Sequence, residues 1–219
     1  MKIKKYKDIT IRKFEQPPFG TNTYLMTIEN EQEAILFDPS GNPDEVINKA
    51  KKENLNIKKI YLTHGHLDHW IGSKKIQDFF ECDIYLHEKD FKLINPDSGK
   101  MFGLFNLPTP KNIKKINLNQ IQISTKRTLQ VLETPGHCPG HLTFTGDGYV
   151  ISGDLIFQNS IGRMDLPGGD EQEMKKSLKK FLDQVPEEYD LLPGHGPITQ
   201  LKTEIEYNLY LKKGWLSQT

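Results

Sequence analysis

The chain has 219 residues, with 29 Lys and Arg balanced by 29 Asp and Glu and only two cysteines, Cys82 and Cys138. That length suits one domain with a sizeable core, and a formal charge of zero leaves no global field to draw the protein to nucleic acid or an anionic membrane. No apolar run approaches the roughly 20 residues that span a bilayer, and two cysteines make no disulfide framework, which fits a reducing cytoplasm.

The start, Met1-Lys2-Ile3-Lys4-Lys5-Tyr6-Lys7, carries the charge of a signal-peptide n-region. Asp8, Arg12 and Lys13 interrupt before any apolar h-region forms, so no export signal is expected. Residues 9–14, 22–28 and 34–37 read as strands, punctuated by Pro17, Pro18 and Gly20. Asn42-Pro43-Asp44-Glu45 opens a helix, with a capping residue, proline at the first helical position and acids in the first turn. A strand over 57–62, a helix over 71–80 and a short strand over 84–86 follow. Residues 95–120 are rich in Pro, Gly, Asn and Lys and read as an irregular surface excursion. Two strand pairs come next, 121–124 with 129–132 and 142–144 with 149–151. Asp170-Glu171-Gln172-Glu173 has the pattern of a capping box. The helix behind it places Met174, Leu178, Phe181, Leu182 and Val185 at helical spacing. A last helix is predicted over 204–212. Strands followed by helices in each half predict a mixed α and β chain.

Thr63-His64-Gly65-His66-Leu67-Asp68-His69-Trp70 puts three histidines and an aspartate within six positions, directly after the apolar Ile60-Tyr61-Leu62. In an extended stretch, residues two apart point to the same side, so His64 and His66 can converge on one ion. Asp68 and His69, on the next bend, can reach a second. Thr134-Pro135-Gly136-His137, Ser152-Gly153-Asp154 and Pro193-Gly194-His195-Gly196 repeat one design: a strand, a Gly- or Pro-bearing turn, then a ligand-type side chain. Loops at strand ends on a rigid sheet are where binding groups usually sit.

The ordered set His64-x-His66-x-Asp68-His69, His137, Asp154 and His195 resembles the metallo-β-lactamase fold superfamily. The stretch from Ser160 to Asp170, together with Leu192-Pro193-Gly194-His195-Gly196-Pro197, is similar to its compact type II glyoxalases, the hydroxyacylglutathione hydrolases. The resemblance implies a four-layer αβ/βα sandwich of two mixed sheets with outer helices, an α+β fold in one domain over 1–219. It also implies a binuclear site, with His64, His66 and His137 on the first metal and Asp68, His69 and His195 on the second. Asp154 bridges, since a carboxylate can hold two cations at once. Asp68 doubles as the residue that orients the bridging water. Zinc is the first choice for two divalent ions, with iron or manganese also compatible with imidazole and carboxylate ligands.

Such a pair of metals can bring a shared water's pKa to about 7, so the expected reaction is hydroxide attack on the carbonyl of an S-acyl thiol such as S-lactoylglutathione. Arg163 is the candidate substrate-binding residue, its fork suited to a carrier carboxylate. The larger glyoxalases hold glutathione with a C-terminal helical domain, and the 24 residues after His195 are expected to contain no such domain. A mononuclear-iron persulfide dioxygenase, whose family shares a Gly-Arg-x-Asp loop like Gly162-Arg163-Met164-Asp165, is the nearest alternative, with a lactonase-like hydrolase beside it. Nucleic-acid and membrane partners are not expected. Asp38 reads equally as a partner of a ligand histidine or as a turn former. His141 and Cys138 read as structural, and His87, Trp70 and Trp215 as packing.

Overall fold

The computed structural model describes residues 1–116 and 119–217, without the side chains of Met101 and Lys213. Its contacts divide the chain into two compact units, Met1–Ile116 and Asn117–Thr219.

The first unit contains β1 (Lys2–Tyr6), β2 (Ile9–Gln16), β3 (Thr21–Ile28), β4 (Glu33–Phe37), α1 (Asp44–Lys52), β5 (Asn56–Tyr61), α2 (Leu67–Trp70), α3 (Ser73–Phe80), β6 (Asp83–Leu86) and β7 (Lys114–Lys115). The strands lie in sequence order in one sheet, antiparallel from β1 to β4 and parallel from β4 to β7. Leu25, Leu36, Ile57, Ile60 and Ile84 from one sheet face pack with Val46, Ile47 and Ala50 of α1 and Ile76 of α3. Such burial is the main favourable term of folding, about 1.5–3 kcal/mol for each large apolar side chain fully removed from water.

Three local readings are corrected here. Residues 2–6, for which the sequence predicts no element and no export signal, form an edge strand. Its lysines are the kind of side chain that keeps an exposed sheet edge from pairing with another chain. Pro43 is the cap residue of α1 rather than its first helical residue, and Asn42 Oδ1 accepts from the Asp44 N–H at 3.3 Å. The helix predicted over 71–80 starts two residues later, at Ser73, and a separate short helix, Leu67–Trp70, precedes it. The Gly72 N–H donates to Pro39 O at 2.9 Å, and a Cβ at position 72 would lie 2.8 Å from Ser40 O, so the chain is pinned between α2 and α3.

The second unit contains β8 (Gln120–Gln122), β9 (Thr128–Glu133), β10 (Leu142–Thr145), β11 (Tyr149–Gly153), the hairpin β12 (Ile156–Phe157) and β13 (Ser160–Ile161), α4 (Glu171–Gln184), β14 (Asp190–Pro193), β15 (Thr199–Gln200), α5 (Leu201–Tyr207) and α6 (Lys213–Leu216). The main sheet has the order β15-β14-β11-β10-β9-β8 and is mixed, because β11 and β14 run parallel among antiparallel neighbours. Met174, Leu178 and Phe181 of α4 pack with Val150, Leu155 and Leu191. Asp170 caps α4 as its sequence predicts, its Oδ1 accepting from the Glu173 N–H at 2.9 Å. The helix predicted over 204–212 starts earlier, at Leu201, and stops at Tyr207. There Asn208 turns inward, and its Oδ1 takes the Tyr210 N–H to start a separate 3-10 turn.

Each unit is thus a mixed sheet with its own helices, an α+β arrangement. Among the described residues no helix is long and apolar enough to cross a membrane.

Candidate metal centre

The first unit gathers His64, His66, Asp68 and His69 where β5 runs out. The His64 ring lies 4.8 Å from that of His66 and 4.0 Å from that of His69, centroid to centroid, and His69 Nε2 lies 3.4 Å from Asp68 Oδ2. The turn between His64 and His66 needs glycine, because a Cβ at Gly65 would meet Asp90 O at 2.8 Å. Three bonds fix that turn or its exit. The Gly65 N–H donates to the buried Asp90 carboxylate at 3.0 Å, the Trp70 indole donates to Gly65 O at 3.1 Å, and the His69 N–H donates to His66 O at 3.0 Å. Trp70 therefore adds a specific hydrogen bond to the packing role its sequence suggests.

Asp38 is a hydrogen-bond partner of His69 directly and of His64 through Thr63. Buried to 1% exposure at the end of β4, its Oδ1 accepts from the Thr63 N–H at 2.8 Å. Its Oδ2 accepts from Thr63 Oγ1 at 2.8 Å and from His69 Nδ1 at 2.9 Å. Since Thr63 Oγ1 gives its proton to Asp38, it accepts from His64 Nδ1 at 3.0 Å. One carboxylate thus sets both tautomers, with Nδ1 protonated and the Nε2 lone pair left for a metal. Thr21 Oγ1 donates to Asp68 Oδ2 at 2.8 Å and orients that carboxylate.

The second unit gathers His137, Asp154 and His195. β11 and β14 are parallel neighbours, with Gly153 opposite Pro193, so the side chains that follow them emerge side by side. Asp154 Oδ2 lies 3.6 Å from His195 Nε2 and 3.4 Å from His137 Nε2. His137 Nδ1 donates to Arg163 O at 2.7 Å, again leaving Nε2 inward. The Asp154 N–H donates to His141 Nε2 at 2.9 Å, while His141 Nδ1 meets Thr134 Oγ1 at 2.9 Å. His141 therefore supports the backbone of Asp154. The His137 loop is seated on α4: Gly136 O accepts from the Asp170 N–H at 2.8 Å, and Pro135 O from Ser177 Oγ at 2.6 Å.

These residues fit divalent cations on two grounds. The Nε2 atoms of neutral His69 and His137 are acceptors, yet each faces a carboxylate oxygen at 3.4 Å. Two acceptors so placed repel unless a cation lies between them. Hydrogen bonds run about 2.7–3.2 Å, whereas two ligands each about 2.0–2.1 Å from a tetrahedral ion are about 3.3–3.4 Å apart. Exposure is graded: His64, His69, His137 and Asp154 are buried, while His66, Asp68 and His195 are partly open to solvent.

Of the remaining candidates, Arg163 contributes its carbonyl to His137, while its exposed guanidinium pairs with Asp165 in two 2.7 Å bonds. That pairing pulls the Asp165 carboxyl down to about 2. Cys82 and Cys138 are buried and not joined in a disulfide, and burial pushes the Cys82 thiol up to about 12. His87 Nδ1 accepts from the Lys89 N–H at 3.1 Å and caps a 3-10 turn. The Trp215 ring lies under Lys175 Nζ at 4.9 Å.

Gly162 is a site residue the sequence reading passed over. A Cβ there would lie 1.9 Å from Asp154 O and 3.1 Å from His137 Nδ1. Gly162→Ala is expected to displace both ligands, lowering metal content and cutting activity by about a hundredfold or more, on the scale of about 1.4 kcal/mol per factor of ten. Metal analysis of the purified variant checks this, and full metal content with parental turnover contradicts it.

The sequence profile of the Metallo-beta-lactamase superfamily matches residues 17–195. The hydroxyacylglutathione hydrolase GloC of Haemophilus influenzae is 31% identical over 189 residues, covering 84% of this chain and 89% of that protein. The crystal structure of BLEG-1 B3 metallo-beta-lactamase aligns with a TM-score of 0.85 at 32% identity, covering 92% of this chain and 99% of that one. TTHA1623 in a di-iron-bound form aligns at 0.82 with 32% identity, covering 91% and 100%.

Proposed function

This chain belongs to the metallo-beta-lactamase superfamily and is a metallo-hydrolase of that fold, and we propose that it cleaves S-acyl thiols, with S-lactoylglutathione, giving lactate and glutathione, as its leading substrate. We assign His64, His66 and His137 to one ion, Asp68, His69 and His195 to a second, and Asp154 to both. Zinc is the proposed metal, and the di-iron form of TTHA1623 keeps iron in the test. When bound, the two ions would supply Lewis acidity, making a water nucleophilic near neutral pH and polarising the substrate carbonyl.

The observation that carries the thioester reading is the commitment of Asp38, Asp68 and Asp154, the carboxylates that face the candidate ligand histidines among the described residues. Asp38 is bonded to Thr63 and His69, and Asp68 and Asp154 face ligand histidines. None of these three is left as a general acid. A thiolate departs without a proton, whereas an amide nitrogen needs one, so this donor set suits a thioester better than a lactam. Asp68 is held by Thr21, and we assign it the second task of orienting the attacking water. The likeness to GloC points the same way.

The test is a substrate panel on protein reconstituted separately with zinc, iron and manganese. S-Lactoylglutathione hydrolysis well above that of a cephalosporin is the expected result. Faster cephalosporin turnover would move the chain to the activity in the name of BLEG-1. Oxygen uptake with glutathione persulfide, in an iron form holding one ion, would replace hydrolysis by dioxygenation.

Arg163 is assigned to the carrier. Its guanidinium is already bonded to Asp165, so a substrate carboxylate must take the place of the Asp165 carboxylate in the fork. Arg163→Ala is expected to lower kcat/KM about ten- to a hundredfold for a carboxylate-bearing thioester. A neutral short-chain thioester should be little affected, because the carbonyl that holds His137 survives the substitution. Equal losses on both substrates would assign Arg163 to site structure instead.

A further inference from the structure

Glu204 of α5 and Asn208 just beyond it are both fully enclosed. The Glu204 carboxylate accepts from Thr199 Oγ1 at 2.6 Å, the Asn159 N–H at 2.7 Å and Asn208 Nδ2 at 3.1 Å. The same Asn208 nitrogen donates to Ser160 O at 2.9 Å and to Phe157 O at 3.3 Å. Burying a carboxylate and a carboxamide is costly unless both are bonded on all sides, and here they are.

The partners of this knot sit on the two segments that leave the ligands of the second unit. Phe157, Asn159 and Ser160 belong to the β12–β13 hairpin, which begins just after Asp154 and leads directly to Gly162 and Arg163. Thr199 opens β15, four residues after His195. The hairpin also touches a ligand, because the Phe157 ring stands edge-on to His195, at 5.8 Å and 90°. Both chain exits are therefore fastened to one buried side-chain pair. Fully satisfied buried networks fix a single arrangement more than they add stability.

We propose that Glu204 and Asn208 are positioning residues that latch the hairpin and β15 together, holding His195 and Asp154 at the spacing of two ligands on one ion. This rests on the two-ion reading, in which His195 serves the second ion. Loss of the latch lets the hairpin and β15 move independently, so the ion bound by His195 loosens more than the one bound without it, whose share of Asp154 stays seated through the Asp154 N–H on His141.

The experiment is a chelator-competition titration with zinc on the full chain, comparing the parent with Asn208→Ala and Thr199→Val, alongside thermal unfolding of each metal-free protein. Thr199→Val keeps the shape and removes one donor, so it reports on the latch even if Asn208→Ala folds poorly. The expected result is weakening of the second ion by about 10–100-fold in Asn208→Ala, a smaller weakening in Thr199→Val, and in each variant a clearly smaller loss at the first ion. Hydrolysis should lose kcat more than KM. Equal weakening of both ions, or unchanged affinities with only a lower unfolding temperature, overturns the latch. The parent's titration tests the underlying reading separately. A single ion in the parent overturns the two-ion assignment, and the latch then falls if the variants hold that ion as tightly as the parent does.

Discussion

Asp154→Ala is expected to take the protein from two ions per chain to one and to remove hydrolysis almost completely. Asp154 Oδ2 sits 3.4 Å from His137 Nε2 and 3.6 Å from His195 Nε2, within reach of both histidines. Two divalent cations in neighbouring sites repel, and a shared carboxylate supplies the negative charge between them. Lewis-acid stabilisation of a reacting carbonyl is worth several kcal/mol, and losing about 4 kcal/mol lowers the rate about a thousandfold. The fold should persist. The contact that seats this residue, its N–H on His141 Nε2 at 2.9 Å, belongs to the main chain and survives the substitution. Metal analysis, circular dichroism and turnover of an acyl thiol on the same preparation check all three statements. Two firmly held ions and activity within a few-fold of the parent would show that some other group bridges.

The candidate ligands were legible in the sequence because their chemistry is local. Histidine and aspartate crowded behind apolar strands and turn formers have few other uses, and the order of the blocks narrows them further. The helices and most strands were legible through periodicity. What escaped, or for Asp38 stayed open between a histidine partner and a turn former, was set by distance or by competing local signals. Asp38 lies 25 and 31 residues from the Thr63 and His69 it binds, and no spacing rule joins them. Trp70 and His141 carry apolar or ambiguous side chains whose single hydrogen bonds matter only once the loops are folded. Gly162 sits in a motif dominated by its neighbour Arg163, and its need for a missing Cβ comes from Asp154 O. The first strand was masked by lysines that suit a sheet edge as well as they suit a leader.

Asp38→Asn is the second large effect expected, and it acts through a proton rather than through shape. The Thr63 N–H is a fixed donor to Oδ1, so the asparagine carbonyl must stay on that side. The amide NH2 then occupies the place of Oδ2, where it faces Thr63 Oγ1 and His69 Nδ1. The hydroxyl can rotate, but the imidazole can accept from the NH2 only by moving its own proton from Nδ1 to Nε2. A protonated Nε2 cannot ligate. Asp38 has a φ of +48°, a left-handed conformation that asparagine tolerates better than alanine does, so backbone strain does not confuse the result. The metal-free variant should fold, with a stability loss of about 1–3 kcal/mol for the mismatched buried groups. The ion bound by His69 should weaken about 10–100-fold, the usual consequence of losing the partner that orients a ligand histidine. Zinc titration and unfolding of the metal-free protein separate the two effects. If zinc affinity stays within about threefold of the parent while stability falls by the same 1–3 kcal/mol, Asp38 serves the fold alone and His69 does not bind metal through Nε2.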